Sequence, residues 1–153
     1  MTQSTDRIER QILLKAPRSR VWRALTDAEE VGAWFGADLT GQTIAAGQRV
    51  RGPVTHPGYE HLMHDVVYER VEPERFLSWR WHPGAAELAV DVSPEQTTLV
   101  EFELTKVDGG TLLSLVESGF DAVPADRRLE VFRMNSGGWD ETLRSIKSHV
   151  DAA

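Results

Sequence analysis

The segment LLSLVESGF, residues 112–120, carries the charged side chain best placed to do chemistry, Glu117. Glu117 shares strand parity with Leu113 and Leu115, so its carboxylate faces the interior if those two leucines do. A carboxylate inside an apolar core needs a partner that compensates its charge, and the candidates are Arg128 and a histidine in the interior. The opposite orientation leaves Glu117 in solvent and turns inward Leu112, Ser114 and Val116. Both faces are apolar, so the alternation alone leaves both orientations open.

Catalysis is one conceivable use of Glu117. Together with His64 or Tyr68 it would form an acid–base pair, in which one group gives up a proton and the other accepts one. The sequence shows no activated nucleophile, because ESGF lacks the Gly-x-Ser-x-Gly spacing of a nucleophile elbow and cysteine is absent. Gly109 and Gly110 follow an aspartate, which is typical of a hairpin turn and not of a phosphate-binding loop. A few polar groups in an aromatic pocket serve binding equally well, so we predict no catalytic residue.

Metal binding is the second chemistry to consider, because the chain has five histidines. His61 and His64 are three residues apart in a strand-like segment, so they point to opposite faces. The remaining histidines also lack a spacing from which ligands converge on one ion; they are His56, His82 and His149. The pattern therefore predicts no metal site. His64 shares parity with Val66 and Tyr68, so it either faces the interior with them or is an ordinary exposed or hydrogen-bonded histidine.

Aromatic residues are the main candidates for binding. The chain has five tryptophans in 153 residues, and each carries an N–H group that a filled core must satisfy and a wet cavity satisfies easily. One interpretation is that the aromatic residues line the pocket of a planar or apolar ligand, and the other is that they form the core. Those expected on one side of the sheet are Trp34, Phe35, Trp79, Trp81, Phe102, Phe120, Phe132 and Trp139.

The elements that must position these residues follow from local patterns. A branched segment at 8–16 predicts a first strand, and apolar spacings of three and four predict short helices at 17–27 and 28–36. Alternation from about residue 38 to 120 predicts antiparallel strands, at 48–54, 61–73, 75–84, 97–110 and 111–120. The last segment, 124–150, predicts one helix of about 40 Å, long enough to cross the whole sheet. This order predicts an α+β domain with helices on one side of a curved sheet.

The predicted long helix contains the segment MNSGGWDETLRS, residues 134–145, with two adjacent glycines. Each glycine costs a helix about 1 kcal/mol relative to alanine. Asn135 and Ser136 fall close to the side of the apolar stripe, so the inward face changes there from large apolar side chains to small or polar ones. One hypothesis is that the helix passes over a pocket at this point. The other is that the glycines admit a neighbouring strand or loop, or kink the helix.

Composition bounds the class of protein. The length of 153 residues predicts one domain, 1–153 with its core at about 8–150, large enough to fold without disulfides. The net charge of −7 argues against nucleic acid as a partner. The N-terminal segment lacks the apolar core of a signal peptide, and no apolar run is long enough to cross a bilayer. The expectation is a soluble cytoplasmic protein.

Four segments together resemble a known group: KAPRSRVWRALTDAEEVGAWF, VEPERFLSWRW, LLSLVESGF and GWDETLRSIKSHV. They resemble the Aha1-type branch of the START/Bet v 1-like (SRPBCC) superfamily over residues 8–150. The resemblance implies the helix-grip fold, in which a long C-terminal helix lies across a strongly bent antiparallel sheet with an internal cavity between them. It also favours the inward orientation of Glu117. Relatives commonly bind lipids, sterols or polyketide-like aromatics, while the eukaryotic namesake stimulates the Hsp90 ATPase.

We therefore predict a helix-grip α+β domain that binds a small hydrophobic or aromatic molecule in an internal cavity, without metal, cofactor or catalysis. The predicted ligand-binding residues are Trp34, Phe35, His64, Trp79, Trp81, Phe102, Glu117, Phe120, Phe132, Asn135 and Trp139. A first alternative is a stress-response domain that interacts with a chaperone of the Hsp90 kind, although a full cochaperone is expected to carry an amino-terminal module as well. A second is a small cyclase- or hydrolase-type enzyme that uses Glu117. We expect a monomer or a homodimer.

Overall fold

The computed structural model describes residues 6–83 and 97–151. Within these ranges the strands are β1 (Arg7–Leu14), β2 (Arg49–Pro53), β3 (Met63–Glu72), β4 (Phe76–Trp81), β5 (Thr98–Val107) and β6 (Gly110–Ser118). The helices are α1 (Arg18–Thr26), α2 (Ala28–Phe35) and α3 (Arg128–Asp151), with a short 3-10 helix at Phe120–Ala122. Residues 1–5 of the N-terminal segment and residue 84 of the predicted strand 75–84 lie outside the described residues.

The strands form one antiparallel sheet in the order β1-β6-β5-β4-β3-β2. The predicted turn between β5 and β6 is present, and Gly109 adopts a φ of 85° there, a conformation that favours glycine. At Gly110 a β-carbon would lie 1.9 Å from the carbonyl oxygen of Leu14, so only glycine fits where β1 passes the turn. The hairpin and the first strand are thereby fixed side by side.

One face of the sheet is buried. In β5 the buried residues alternate with exposed or partly exposed ones, and in β6 the same alternation continues to Glu117. The buried side of α3 joins the same core, through Val131, Trp139, Leu143, Ile146 and Val150. The structure therefore has the predicted α+β helix-grip architecture, with the long helix packed on the concave side of a curved sheet.

Helix α2 is held firmly at both ends, which fixes two of the predicted site residues. The side chain of Asp27 accepts hydrogen bonds from the backbone N–H groups of Glu29 and Glu30, at 3.0 and 3.2 Å, so it caps the start of the helix. At the end of the helix, Trp34 donates its indole N–H to the carbonyl of Ala24 at 2.8 Å. Its own carbonyl accepts a hydrogen bond of 2.8 Å from Ser145 of α3. Trp34 and the neighbouring Phe35 are thus positioned between α1 and α3.

Helix α3 begins at Arg128 and not at residue 124 as predicted, because residues 124–127 form a turn. The backbone N–H of Arg127 bonds to the carbonyl of Pro124 at 3.1 Å, and the N–H of Val131 bonds to the carbonyl of Arg127 at 3.0 Å. The first of these bonds closes a tight turn, and the second closes the first full turn of the helix. From Arg128 the helix runs without interruption to Asp151.

Candidate functional site

Glu117 lies on the inner face of β6 and is fully buried. Buried residues of this strand alternate with partly exposed ones, and Glu117 follows the parity of Leu113 and Leu115. The structure thus has the inward orientation. The other face of the strand, with Leu112, Ser114 and Val116, is partly exposed.

Four side chains from three other elements donate hydrogen bonds to the Glu117 carboxylate. Trp81 of β4 donates from Nε1 to Oε2 at 2.8 Å, and Thr98 of β5 donates from Oγ1 to the same oxygen at 2.6 Å. From α3, Asn135 Nδ2 and Trp139 Nε1 donate to Oε1 at 2.9 and 2.7 Å. Asn135 and Trp139 are four residues apart, so their side chains stand on the same helix face. We call Glu117 with these four donors the Glu117 hub.

Among the described residues, the groups that hydrogen-bond to the buried acidic side chain of the hub are all neutral donors. A carboxylate accepts at about four lone-pair positions, and the four donors, with a second contact of 3.1 Å from Asn135 Nδ2 to Oε2, occupy that capacity. Hydrogen bonds to a charged group each contribute roughly 1.5–3 kcal/mol. The hub therefore ties α3 to β4, β5 and β6 through one atom group.

Arg128, one of the candidate partners of Glu117, does not pair with it. Arg128 Nη2 donates instead to the backbone carbonyls of Asp121 and Val123, at 2.9 and 3.0 Å. The reason is position along the helix: Arg128 is the first residue of α3, and Asn135 stands seven residues later, about 10 Å along the axis at 1.5 Å per residue. The second candidate partner, His64, makes no hydrogen bond to Glu117 either.

Most of the predicted aromatic residues form one cluster between the sheet and the helices. The ring of Trp81 lies near its centre, with centroids 5.9 Å from Phe35, 5.5 Å from Trp79 and 5.8 Å from Trp139. His64 joins at the side of α2, with its ring 4.2 Å from that of Phe35. We define the aromatic cluster by its ring contacts as Trp34, Phe35, His64, Tyr68, Trp79, Trp81, Phe102 and Trp139.

Two predicted site residues lie apart from the cluster. Phe120, in the short 3-10 helix, and Phe132, near the start of α3, pack against each other with ring centroids 5.2 Å apart in an edge-to-face geometry. Phe120 is fully buried and Phe132 is partly exposed. Among the described rings, this pair has no ring contact with the cluster, so the structure brings together the other nine predicted residues and leaves these two beside them.

The predicted site residues pack against one another in this structure. The two surface depressions described, of about 460 and 410 Å³, lie elsewhere and none of the predicted residues lines them. The larger is bordered by Lys15, Arg18 and Lys106, and the smaller lies beside β1 and β6. The predicted internal cavity does not correspond to either depression.

Three polar atoms buried in the aromatic cluster have no hydrogen-bond partner among the described residues: His64 Nε2, Tyr68 Oη and Trp79 Nε1. All three side chains stand on the inner face of β3 and β4, where Tyr68 and Trp79 are directly opposite in register. A buried donor or acceptor without a partner costs about 1–3 kcal/mol. We call His64, Tyr68 and Trp79 the β3–β4 wall.

The ionisable groups of the β3–β4 wall are neutral. Burial lowers the pKa of His64 to about 4, although the charge of Asp65 opposes this, so the imidazole carries no charge at neutral pH. Burial raises the pKa of the Tyr68 hydroxyl well above its usual range, so it keeps its proton. A neutral imidazole and a phenolic hydroxyl each both donate and accept hydrogen bonds. The wall thus presents uncharged polar atoms in an aromatic surrounding.

The glycine pair of α3 faces open space. A β-carbon built on Gly137 or Gly138 would find no atom of the described residues within 4 Å, except the backbone of the helix itself. No described strand or loop approaches the glycines closely, so that reason for them is not observed. The two polar residues before them bind the sheet: Asn135 donates to Glu117 at 2.9 Å, and Ser136 accepts from Arg10 Nη2 of β1 at 2.7 Å.

His61 and His64 lie in different surroundings. His61 is exposed in the turn before β3, whereas His64 is buried within that strand. Within residues 6–83 and 97–151, no group of three or more His, Cys, Asp or Glu side chains is arranged to hold a metal ion. None of the helices in that same part of the chain is long and apolar enough to cross a membrane.

Comparison with known proteins decides the family. The family model described as Activator of Hsp90 ATPase homolog 1-like protein matches residues 15–151. The chain belongs to this family. The predicted resemblance to Aha1-type domains is thereby confirmed over nearly the whole chain. Among proteins with curated descriptions, none matches this Aha1-type domain.

Solved structures share the fold of this Aha1-type domain. Protein MLL2253 from Mesorhizobium loti is 24% identical, with a TM-score of 0.73 over 95% of this chain and 96% of that chain. Protein Ms6760 from Mycobacterium smegmatis is 18% identical, with a TM-score of 0.75 over 97% and 93%. The Aha1 dimer from Colwellia psychrerythraea is 17% identical, with a TM-score of 0.70 over 95% and 96%. Similarity at these identities supports the fold alone.

Two residues of the site were missed in the sequence. Thr98 donates to Glu117 at 2.6 Å but is absent from the predicted list. It shares parity with Val100 and Phe102 on β5, so the alternation that placed those residues inward could also have found Thr98. Tyr68 is also absent from the predicted list, although the sequence analysis names it as a possible proton-transfer partner and notes that it shares the parity of His64.

Proposed function

We propose that this Aha1-type domain binds a small aromatic or hydrophobic molecule between α3 and the sheet, at the aromatic cluster. The observation that carries the proposal is the β3–β4 wall, whose three buried polar atoms have no partner among the described residues. Native proteins pair nearly all such atoms, and exceptions require an explanation such as a bound molecule. A polar group of a ligand would supply the missing hydrogen bonds.

Partly exposed residues mark the route by which a ligand would reach this wall. Phe35 and Trp81 of the cluster, and Asn135 beside it, are only partly buried, whereas Tyr68 and Trp79 are almost fully buried. Two residues after Asn135 come the two glycines, Gly137 and Gly138, which weaken a helix by about 1 kcal/mol each. We propose that α3 deforms there, and that Trp81 and Phe35 turn aside to admit the ligand.

The composition of the cluster favours an aromatic or flat apolar ligand. Indole and phenyl rings contact guest rings edge-to-face or offset, which contributes about 0.5–1.5 kcal/mol per pair beyond burial. The only acidic side chain in the hub already has four neutral donors, so a ligand cation would compete with existing hydrogen bonds. A neutral ligand is therefore the better fit.

Catalysis by Glu117 has less support than binding. The carboxylate is fully buried and its acceptor positions are occupied by the four donors of the hub. A general base must be within reach of the proton that it removes. Glu117 would first have to release Trp81 or Asn135, so we assign it to holding α3 on the sheet.

Ligand titration tests the proposal. We expect members of a panel of flavonoids and lipids to quench tryptophan fluorescence and to raise the melting temperature. At a free ligand concentration of about 100 times Kd, binding adds about 2.7 kcal/mol, which corresponds to roughly 5–10 °C for a domain of this size. Native mass spectrometry of freshly purified protein would identify a small molecule that co-purifies with it.

Matched variants locate the quenching. Trp22 is a partly buried residue of α1 outside the aromatic cluster, so Trp22→Phe should keep the ligand-induced quenching. Trp81→Phe should lose much of it, because Trp81 lies near the centre of the cluster. Quenching that disappears with Trp22→Phe and survives in Trp81→Phe would place the ligand elsewhere and contradict the proposal.

A second candidate function follows from the family description, which names an activator of the Hsp90 ATPase. In that case the domain would act in the cytoplasm on a chaperone of this kind in a stress response, as a monomer or as a homodimer. The Colwellia psychrerythraea relative is described as a dimer. Stimulation of Hsp90 ATPase turnover by the purified domain, without any effect of the ligand panel, would favour this function over ligand binding.

A further inference from the structure

His64 is the polar group of the β3–β4 wall that lies between two partly exposed rings. Its ring centroid is 4.2 Å from Phe35 and 6.1 Å from Trp81, with interplanar angles of 45° and 82°. The side chain is 4% exposed, and Nε2 has no hydrogen-bond partner among the described residues. A ligand that turned Phe35 or Trp81 aside would therefore meet this nitrogen on the way to the deeper residues.

We propose that His64 Nε2 recognises a neutral hydroxyl group on an otherwise aromatic or apolar ligand, and so determines which molecules the domain binds. This inference rests on the proposed function and adds to it the chemical class of the ligand. His64 acts here by a single hydrogen bond to the ligand, formed while Phe35 and Trp81 pack against its rings.

The described residues around His64 disfavour a charged ligand group. Phe35 and Trp81 offer no counter-ion for an anion beside an uncharged imidazole, and a buried charge without a partner is strongly unfavourable. Asp65, the nearest charged side chain in sequence, already binds Arg49 through two hydrogen bonds, at 2.8 and 2.6 Å. The geometry therefore favours a group that hydrogen-bonds without carrying charge.

A hydroxyl fits His64 better than other neutral groups. A neutral imidazole is a donor at one nitrogen and an acceptor at the other, and the hydrogen bonds around the ring decide which. A hydroxyl both donates and accepts, so it satisfies Nε2 in either tautomer. A carbonyl satisfies it only when Nε2 carries the proton.

The test compares naphthol with naphthalene, two probes that differ by one hydroxyl. We expect the unmodified protein to bind naphthol about fivefold more tightly, because one net hydrogen bond contributes about 1 kcal/mol and a factor of ten in affinity is 1.4 kcal/mol. His64→Leu should reduce this ratio to about one while the affinity for naphthalene stays within about twofold. His64→Gln, which places an amide near the position of Nε2, should restore part of the ratio. His61→Leu, an exposed histidine nearby, is the matched control and should leave the ratio unchanged.

The outcomes separate this inference from the proposed function. Binding of both probes with the same ratio in the unmodified protein and in His64→Leu would overturn the role of His64 and leave ligand binding standing. Binding of neither probe to the unmodified protein would count against both. Should His64→Leu fail to fold, the nitrogen chemical shifts of the His64 ring in the unmodified protein test the same inference. Nε2 should shift with naphthol and not with naphthalene, and equal shifts with both probes would overturn the inference.

Discussion

Two groups of buried polar side chains lie on the same concave surface, and they are built differently. In the Glu117 hub, four donors converge on one carboxylate at 2.6–2.9 Å. In the β3–β4 wall, the polar atoms of His64, Tyr68 and Trp79 have no partner among the described residues. Trp81 connects the two groups, because its N–H donates to Glu117 while its ring packs against Trp79 and His64.

Under the proposed function, the difference corresponds to a structural role for the hub and a ligand-binding role for the wall. Fully paired buried polar groups make a structure specific, whereas unpaired ones cost free energy that the rest of the fold must offset. The hub fixes α3 on the sheet and is complete without a ligand. The wall, in contrast, has three polar atoms without a partner among the described residues. A bound molecule that hydrogen-bonds to these atoms would therefore lower the free energy of the folded state. The following predictions test this contrast, beginning with the largest expected effect.

Replacing the acceptor of the hub should be the most damaging change. In Glu117→Gln one oxygen becomes an NH2 group, so two of the four donors lose their acceptor and face another donor. At about 2 kcal/mol for each orphaned group, we expect the free energy of unfolding to fall by about 4 kcal/mol in denaturant titration. Glu103→Gln, an exposed carboxylate on β5, is the control and should change it by less than about 0.5 kcal/mol. Equal effects of the two variants would mean that the hub is not an anchor.

Acid should destabilise the protein through His64. Unfolded histidine titrates near 6.5, whereas the pKa of buried His64 is about 4, so between these values the unfolded chain binds a proton that the folded chain does not. The free energy of unfolding therefore falls as the pH is lowered from 6.5 to 4, by about 3 kcal/mol from this group. Denaturant titrations of the unmodified protein and of His64→Leu across this range measure it. The variant should lack this part of the pH dependence, and identical slopes would show that His64 is not buried as described.

Deleting one hydroxyl from the Glu117 hub and one from the β3–β4 wall should change the free energy of unfolding in opposite directions. Thr98→Val removes a donor from the hub and should lower the free energy of unfolding by about 1–2 kcal/mol. Tyr68→Phe removes a buried hydroxyl that has no partner among the described residues, and should raise it by about 1 kcal/mol. Thermal and denaturant unfolding of the two variants measure the direction of each change in the free energy of unfolding. Destabilisation by Tyr68→Phe would mean that its hydroxyl already has a partner.

The glycine pair should have the smallest effect on stability. Nothing described lies within 4 Å of a β-carbon at Gly137, so Gly137→Ala should raise the free energy of unfolding by up to about 1 kcal/mol. If α3 deforms at this point to admit a ligand, the same variant should slow ligand association in stopped-flow fluorescence. A stabilised variant with an unchanged rate of ligand association would show that the glycines are not part of the access route. A destabilised variant would show that the alanine disturbs a contact.

The regular elements and the composition of the cluster could be predicted from the sequence, but the pairing of polar atoms could not. Alternation along β4, β5 and β6 predicted the inward positions of Trp79, Phe102 and, with the resemblance, Glu117. Hydrogen bonds depend on distances between elements far apart in the chain, such as Trp81 and Glu117, which are 36 residues apart. This is why Arg128 was named as a candidate partner of Glu117 and Thr98 was overlooked. The periodicity of the sequence likewise does not predict whether a buried nitrogen such as His64 Nε2 has a hydrogen-bond partner.

Proton–nitrogen correlation spectra of the five tryptophan indole groups test the central claim most directly. The indole N–H of Trp79 belongs to the β3–β4 wall, that of Trp81 to the hub, and that of Trp22 lies outside both. On titration with naphthol we expect the Trp79 and Trp81 signals to shift and saturate together while the Trp22 signal stays in place. Indole signals that all remain unchanged, or a shift confined to Trp22, would contradict a binding site between α3 and the sheet.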